Sequence, residues 1–333
     1  MPTVILRGGL LLGLAFITQS ALAQTAGEKL ERKGDEIVVC GQLYHTTAPV
    51  KLWMDPEGYD AYRVERRFGP IEKADWKQTL EEAKLDSPNR YGIRKDTLSS
   101  EELEKVRGGG WDLPMLQNVV DQFVMHYDVC GTSEVCFKVL HDSRGLSVHF
   151  MLDVDGTIYQ TLDLKERAWH ATISNSRAIG IEIANMGAYT DPNDEVFKKW
   201  YYTDDNGVVE LRPPRGIMHL GLRKVPFVGH PARNELIKGE IQGKEYYQYD
   251  FTPQQYDSLI KLTATLSKIF PKLKLDYPKD KEGKLIPHVL TEEEWEDFEG
   301  VLGHYHVQAN KQDPGPAFDW EKVVGGAQQL INK

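Results

Sequence analysis

Apolar and polar positions along the chain fall into segments whose period switches between that of a strand and that of a helix. Val119 to Tyr127 reads as a buried strand with His126 near its end. Glu134 to His141 follows as a helix. Val148 to Leu152 and Thr157 to Leu162 flank the turn pair Asp155-Gly156, which predicts a hairpin. Ile179 to Ala184 is another apolar run, with Glu182 inside it. Thr252 and Pro253 open a helix as its cap and first residue. Tyr256, Leu259, Ile260, Thr263, Leu266, Ile269 and Phe270 form the buried stripe of that helix, and a last helix starts near Asp319 and Trp320. The strands are too mixed in connection for a doubly wound parallel sheet. The pattern predicts an α+β fold, with a central mixed β-sheet flanked by helices.

The glycine run Gly108-Gly109-Gly110 marks a boundary. Residues 24–110 before it begin with a polar stretch, then carry strand-like pieces and a charged helical stretch near Trp76 to Leu85. They contain no motif, and read as a small accessory region or as an extension wrapped on the core. Residues 111–333 hold the core, interrupted by insertions near 191–249 and 277–293. Loops of this length are usually functional or ordered by their own structure. The first carries Trp200, Tyr201, Tyr202, Arg212, Arg215, His219 and Arg223. It reads equally as the wall of a substrate groove or as a structural embellishment.

Residues 1–23 have the parts of a signal peptide. Arg7 is the positive start, Gly8 to Ile17 the short apolar run, and Ala21-Leu22-Ala23 the small-residue cleavage site. The run falls short of the roughly 20 residues that span a bilayer, so the expectation is an exported protein without a transmembrane anchor, periplasmic or secreted after cleavage near Ala23. Hydrophobic residues at 41% and charged residues at 27% fit a globular domain with a true core. A net charge of -10 leaves no basic stripe to neutralise phosphates, which argues against nucleic acid as a partner.

The chemistry concentrates at two places. Gly303-His304-Tyr305-His306 is followed closely by Lys311-Gln312-Asp313-Pro314-Gly315-Pro316, and Phe123-Val124-Met125-His126-Tyr127-Asp128 puts a histidine at a strand end. Two imidazoles and a carboxylate are the ligand set of a catalytic zinc site, with the fourth position left for water. Residues two apart on an extended segment point the same way, so spacing leaves both His304 and His306 open as the second ligand. A carboxylate inside an apolar strand, as at Glu182, is costly unless paired. It is either a salt-bridged structural residue or a working one. No His-Glu-x-x-His helix and no Gly-x-Ser-x-Gly elbow is present, which argues against other zinc peptidases and against serine hydrolases.

These segments, together with Leu146 to Asp153, Asp155 to Gln160, Arg167-Ala168-Trp169-His170-Ala171 and Ile179 to Asn185, resemble the amidase-2 (type 2) N-acetylmuramoyl-L-alanine amidases, relatives of the peptidoglycan recognition proteins. The blocks occur in the family's order from about residue 118 to the end. The resemblance implies one Zn2+ per chain held by His126, His304 and Asp313, since the family's second ligand directly follows a glycine. It implies Glu182 as general base and Lys311 as the cation that stabilises the oxyanion. His149 and His170 lie in matching blocks, as substrate contacts or satisfied core histidines, and Trp169 reads as core. The implied activity is hydrolysis of the amide between N-acetylmuramic acid and L-alanine in peptidoglycan or a muropeptide. The alternative is a non-catalytic peptidoglycan-binding receptor on the same fold. Many peptidoglycan recognition proteins carry a disulfide near this place, so the resemblance also implies a Cys130–Cys136 bond, against the alternative of two buried thiols. Cys40 is left over, expected to be buried in the strand that begins Glu36-Ile37-Val38-Val39.

Overall fold

Six strands build the central sheet, in the order Gly300–Gly303, Gln122–Tyr127, Ala178–Ile183, Phe150–Leu152, Ile158–Gln160 and Val50–Leu52. All neighbours run parallel except the Phe150–Leu152/Ile158–Gln160 hairpin, so the sheet is mixed, as its apolar pattern predicts. The computed structural model describes residues 25–84, 90–214 and 228–333. The leader expected at 1–23, and Arg215, His219 and Arg223 of the first insertion, lie outside the described residues. No described helix is long and apolar enough to cross a membrane.

Period-two alternation gives the sheet two different faces. Phe123, Met125, Ile179, Ile181, Phe150, Leu152 and Val301 point into one core cluster. The helices Pro253–Ile269 and Trp320–Ile331 cover this face through Tyr256, Leu259, Leu262, Leu266, Val323 and Val324. Thr252 and Gln255 form a reciprocal capping box at the start of the longer helix. The intervening residues His126, Gly180, Glu182 and Met151 must therefore face the other side. That face carries the site.

From Lys33 onward, the segment preceding Gly110 belongs to the same compact unit as the core, Lys33–Lys333. Its strand Val50–Leu52 adds the last strand of the sheet, and Tyr91–Ile93 pairs antiparallel with Glu166–Ala168. The strand expected from Val119 starts at Gln122, because Asp112 caps a helix Leu113–Val119 with Pro114 in its first turn. The helix expected at Glu134–His141 is a short α-helix, Ser133–Phe137, that continues as a π-helical turn, Lys138–Arg144, and stops at left-handed Gly145 (φ 62°). The described residues of the first insertion fold into the helix Glu195–Trp200 and two hairpins, with Trp200 and Tyr201 buried in a satellite core of their own.

The expected Cys130–Cys136 disulfide is absent: Cys40, Cys130 and Cys136 are all free thiols. Side chains close that loop without a crosslink. Asp128 Oδ1 accepts from the backbone N–H of Cys130 and Gly131 (2.9 and 3.0 Å), and Thr132 caps the helix that follows. Cys136 is buried among aromatic and aliphatic side chains, with Cys130 packed at the edge of the same cluster. Cys40 is half-buried just past its strand, in a left-handed conformation (φ 49°).

Candidate metal centre

Parallel pairing brings the chemistry together. His126 lies opposite Glu182 in register, and Gly303 opposite Met125, so His304 emerges beside the end of the His126 strand. His304 opens a one-turn helix, His304–Val307, and the loop after it returns Asp313, whose carbonyl accepts from Tyr305 N–H. The result is a triangle of atoms. His126 Nδ1 is 3.0 Å from His304 Nδ1, and each is 2.9 Å from Asp313 Oδ2. All three side chains are buried.

The outer nitrogens of both rings have partners of their own. His304 Nε2 donates to Gln308 Oε1 at 2.6 Å, and His126 Nε2 is 3.0 Å from His170 Nδ1. With the ring protons on Nε2, three lone-pair atoms face one another at 2.9–3.0 Å with no proton between them. That arrangement is repulsive unless a cation sits among them, and the outer partners are those that orient metal-ligating histidines. Burial, reinforced by His304, pushes the His126 imidazolium down to about 4, so the ring is neutral at neutral pH. Burial alone would raise the Asp313 carboxyl, but His304 and His126 hold it well below the usual carboxylate range. Two imidazole nitrogens and a carboxylate oxygen fit a zinc ion.

A cavity of about 280 Å³ opens onto this triangle, with Glu182, Lys311, His170 and Asp128 in its lining. Glu182 Oε2 is buried and has no hydrogen-bond partner among the described residues. Burial, and then the Asp313 charge, raise its carboxyl well above the ordinary range. His170 packs against Gly180, where a Cβ would come to 2.5 Å from its ring. His149 is placed elsewhere: it is fully buried, accepts from Gly180 N–H through Nδ1 and does not line the cavity. His306 also points away. It accepts from Gly303 N–H and lies 2.8 Å from the Ile286 carbonyl.

Two lining residues escaped the sequence reading. Trp169, expected in the core, is 36% exposed at the cavity. Asp128 is a buried carboxyl pushed up to about 7 by burial against three backbone N–H donors, and its Oδ2 has no partner among the described residues. Its signal was its place, two residues past His126. Among the described residues of the first insertion, none lines the cavity.

A family model described as N-acetylmuramoyl-L-alanine amidase matches residues 116–316. The chain belongs to that family. Among curated proteins it resembles the 1,6-anhydro-N-acetylmuramyl-L-alanine amidase AmpD of Haemophilus influenzae, at 22% identity over 65% of this chain and 72% of the relative. Among solved structures it resembles the endolysin amidase LysCS from Clostridium intestinale (18% identity, 65% of this chain and 86% of that one, TM-score 0.32). It also resembles the amidase AmiD from E. coli, solved with anhydro-N-acetylmuramic acid-L-Ala-D-gamma-Glu-L-Lys (17% identity, 62% and 57% covered, TM-score 0.36).

Proposed function

We propose that this chain is an exported, zinc-dependent amidase that hydrolyses the bond between N-acetylmuramic acid and L-alanine in peptidoglycan or its muropeptides. The observation that carries the reading is the buried triangle of His126, His304 and Asp313 with the unpartnered carboxylate of Glu182 in the same cavity. His126, His304 and Asp313 would hold the metal. Bound there, zinc supplies a Lewis acid that acidifies water and polarises a carbonyl.

The chain's own groups do the rest. Glu182 takes the proton of the attacking water, for which its raised affinity for a proton suits it. The same carboxyl then returns a proton to the amine that leaves as the new N-terminus of alanine. Lys311 offers a cation to the charge that develops on the carbonyl oxygen. His170 and Gln308 keep the two imidazoles turned toward the centre. A receptor that only binds has no need of this donor set or of Glu182.

Export rests on the leader at 1–23. The substrate class rests on the family, and the anhydro sugar in the name of the Haemophilus influenzae relative makes the anhydro-muropeptide a necessary probe. The test is turnover of reducing and anhydro muropeptides by zinc-loaded and chelated protein. The reading requires one zinc per chain and activity that is lost on chelation and restored by zinc. A chain that binds muropeptide with zinc loaded yet never turns it over would be a receptor.

A further inference from the structure

The guanidinium of Arg94 is fully buried, and among the described residues it makes no ion pair. A buried charge without a carboxylate is costly unless every donor is satisfied. Here backbone carbonyls serve, together with the imidazole of His149, whose Nε2 lies 2.9 Å from Nη2. Nε and Nη2 donate to Leu164 O at 3.2 and 3.0 Å. Nη1 reaches Ser176 O at 3.0 Å and Ala178 O at 2.9 Å, with Asn175 O at 3.4 Å. One planar fork thus ties together the segment before His170, the 3-10 turn Thr172–Ser176 after it, and the start of the strand that carries Glu182.

What that fork holds leads to the metal. Asn175, in the clamped turn, accepts through Oδ1 from the N–H of His170 at 3.0 Å and of Ala171 at 2.7 Å. The other flank of His170 is fixed by Tyr91–Ile93, which ends directly before Arg94 and pairs with Glu166–Ala168. His170 Nδ1 then meets His126 Nε2 at 3.0 Å, and His126 presents Nδ1 to the triangle. Arg94 lies outside the family-matched residues 116–316. We propose that Arg94 is a positioning residue for the metal ligand His126, acting through the 172–176 turn, Asn175 and His170. The segment before the family match thereby completes the catalytic site. This rests on the zinc reading above.

Arg90 supplies the control. It is equally buried and comes from the same segment, but its guanidinium lies 3.5 Å over the Trp76 ring and donates to the carbonyls of His141 and Arg63. Its guanidinium braces the π-helical wall of the cavity and bonds neither His170 nor the 172–176 turn; only its backbone carbonyl, which the side-chain substitution keeps, reaches Trp169 N–H through Ser147 Oγ. The experiment measures zinc affinity by chelator competition, and the Co2+ absorption spectrum, in the full chain and in Arg94→Met, Asn175→Ala and Arg90→Met. Loss of an outer-shell support typically costs 10–100-fold in metal affinity. Arg94→Met and Asn175→Ala should each weaken zinc by about that factor and alter the cobalt bands, with excess zinc recovering turnover. Arg90→Met should keep wild-type affinity and spectrum and raise KM instead. If Arg94→Met does not fold, Asn175→Ala decides alone. Wild-type affinity in Asn175→Ala, or equal weakening in all three variants, overturns the proposal. A wild-type chain that binds no zinc would overturn the parent reading, a result distinct from either.

Discussion

Replacing Glu182 by glutamine keeps the shape of a side chain that lies opposite His126 in the sheet and removes its capacity to take a proton. No ligand is lost, so the zinc content should stay at one per chain. General-base catalysis contributes about 10²–10⁴-fold, or roughly 2.7–5.4 kcal/mol of barrier at 1.36 kcal/mol per decade. The loss should fall on kcat with KM little changed, because the interaction strengthens only in the transition state. Stability separates this from a structural role. The Glu182 carboxyl is raised above its ordinary 4.5 by burial and by Asp313, so its favourable contribution is complete below pH 4.5 and lost as pH rises through the raised value. Glutamine does not titrate. Metal-free Glu182→Gln should therefore melt at or above wild type at neutral pH, and the gap should shrink as pH falls toward 4.5. The assay is muropeptide turnover by the folded, zinc-loaded variant beside thermal melts of the metal-free pair. Turnover within a factor of about three of wild type, well below the general-base range, or a clearly lowered melting temperature at neutral pH, would refute the reasoning.

His304→Ala should lose most of the zinc, whereas His306→Ala should keep it and lose about 1–3 kcal/mol of stability from the backbone groups left unpaired, read by metal analysis and denaturant melts. Lys311→Ala should lower kcat by about 10²–10³ at similar KM, as removal of one oxyanion donor does, measured on the same substrates. Gly180→Ala drives a Cβ to 2.5 Å from the His170 ring, so it should cost about 1–3 kcal/mol in melts and also weaken zinc in chelator competition.

Much of this architecture was legible because it is periodic. Phe123 to Tyr127 and Ile179 to Ile183 read as apolar strands carrying His126 and Glu182, and the pleat of the paired strands then put those two on the face opposite the main core. Thr252 and Pro253 announced the long helix. The triangle was legible through its matching blocks, and local geometry then distinguished His304 from His306 where spacing could not. What stayed hidden depends on partners distant in sequence. Arg94 gains meaning from an imidazole and carbonyls 55 to 84 residues away. His149 was indistinguishable from His170 until one was seen against Gly180 N–H and the other at the cavity. The disulfide expectation came from the resemblance and failed because Asp128 and Thr132 close and cap that loop with side chains instead. Trp169 was assigned to the core on its type, whereas its neighbour His170 belongs to the cavity rim and carries it there.

The central claim concerns one bond, and mass spectrometry of the products from purified muropeptides and intact sacculi tests it most directly. The account predicts free stem peptides that begin with an amino-terminal alanine, together with sugar fragments that keep an intact lactyl carboxylate, formed by the zinc-loaded chain and not by the chelated one. Products cut within the stem peptide or between sugars, with the muramoyl–alanine amide intact, would contradict it.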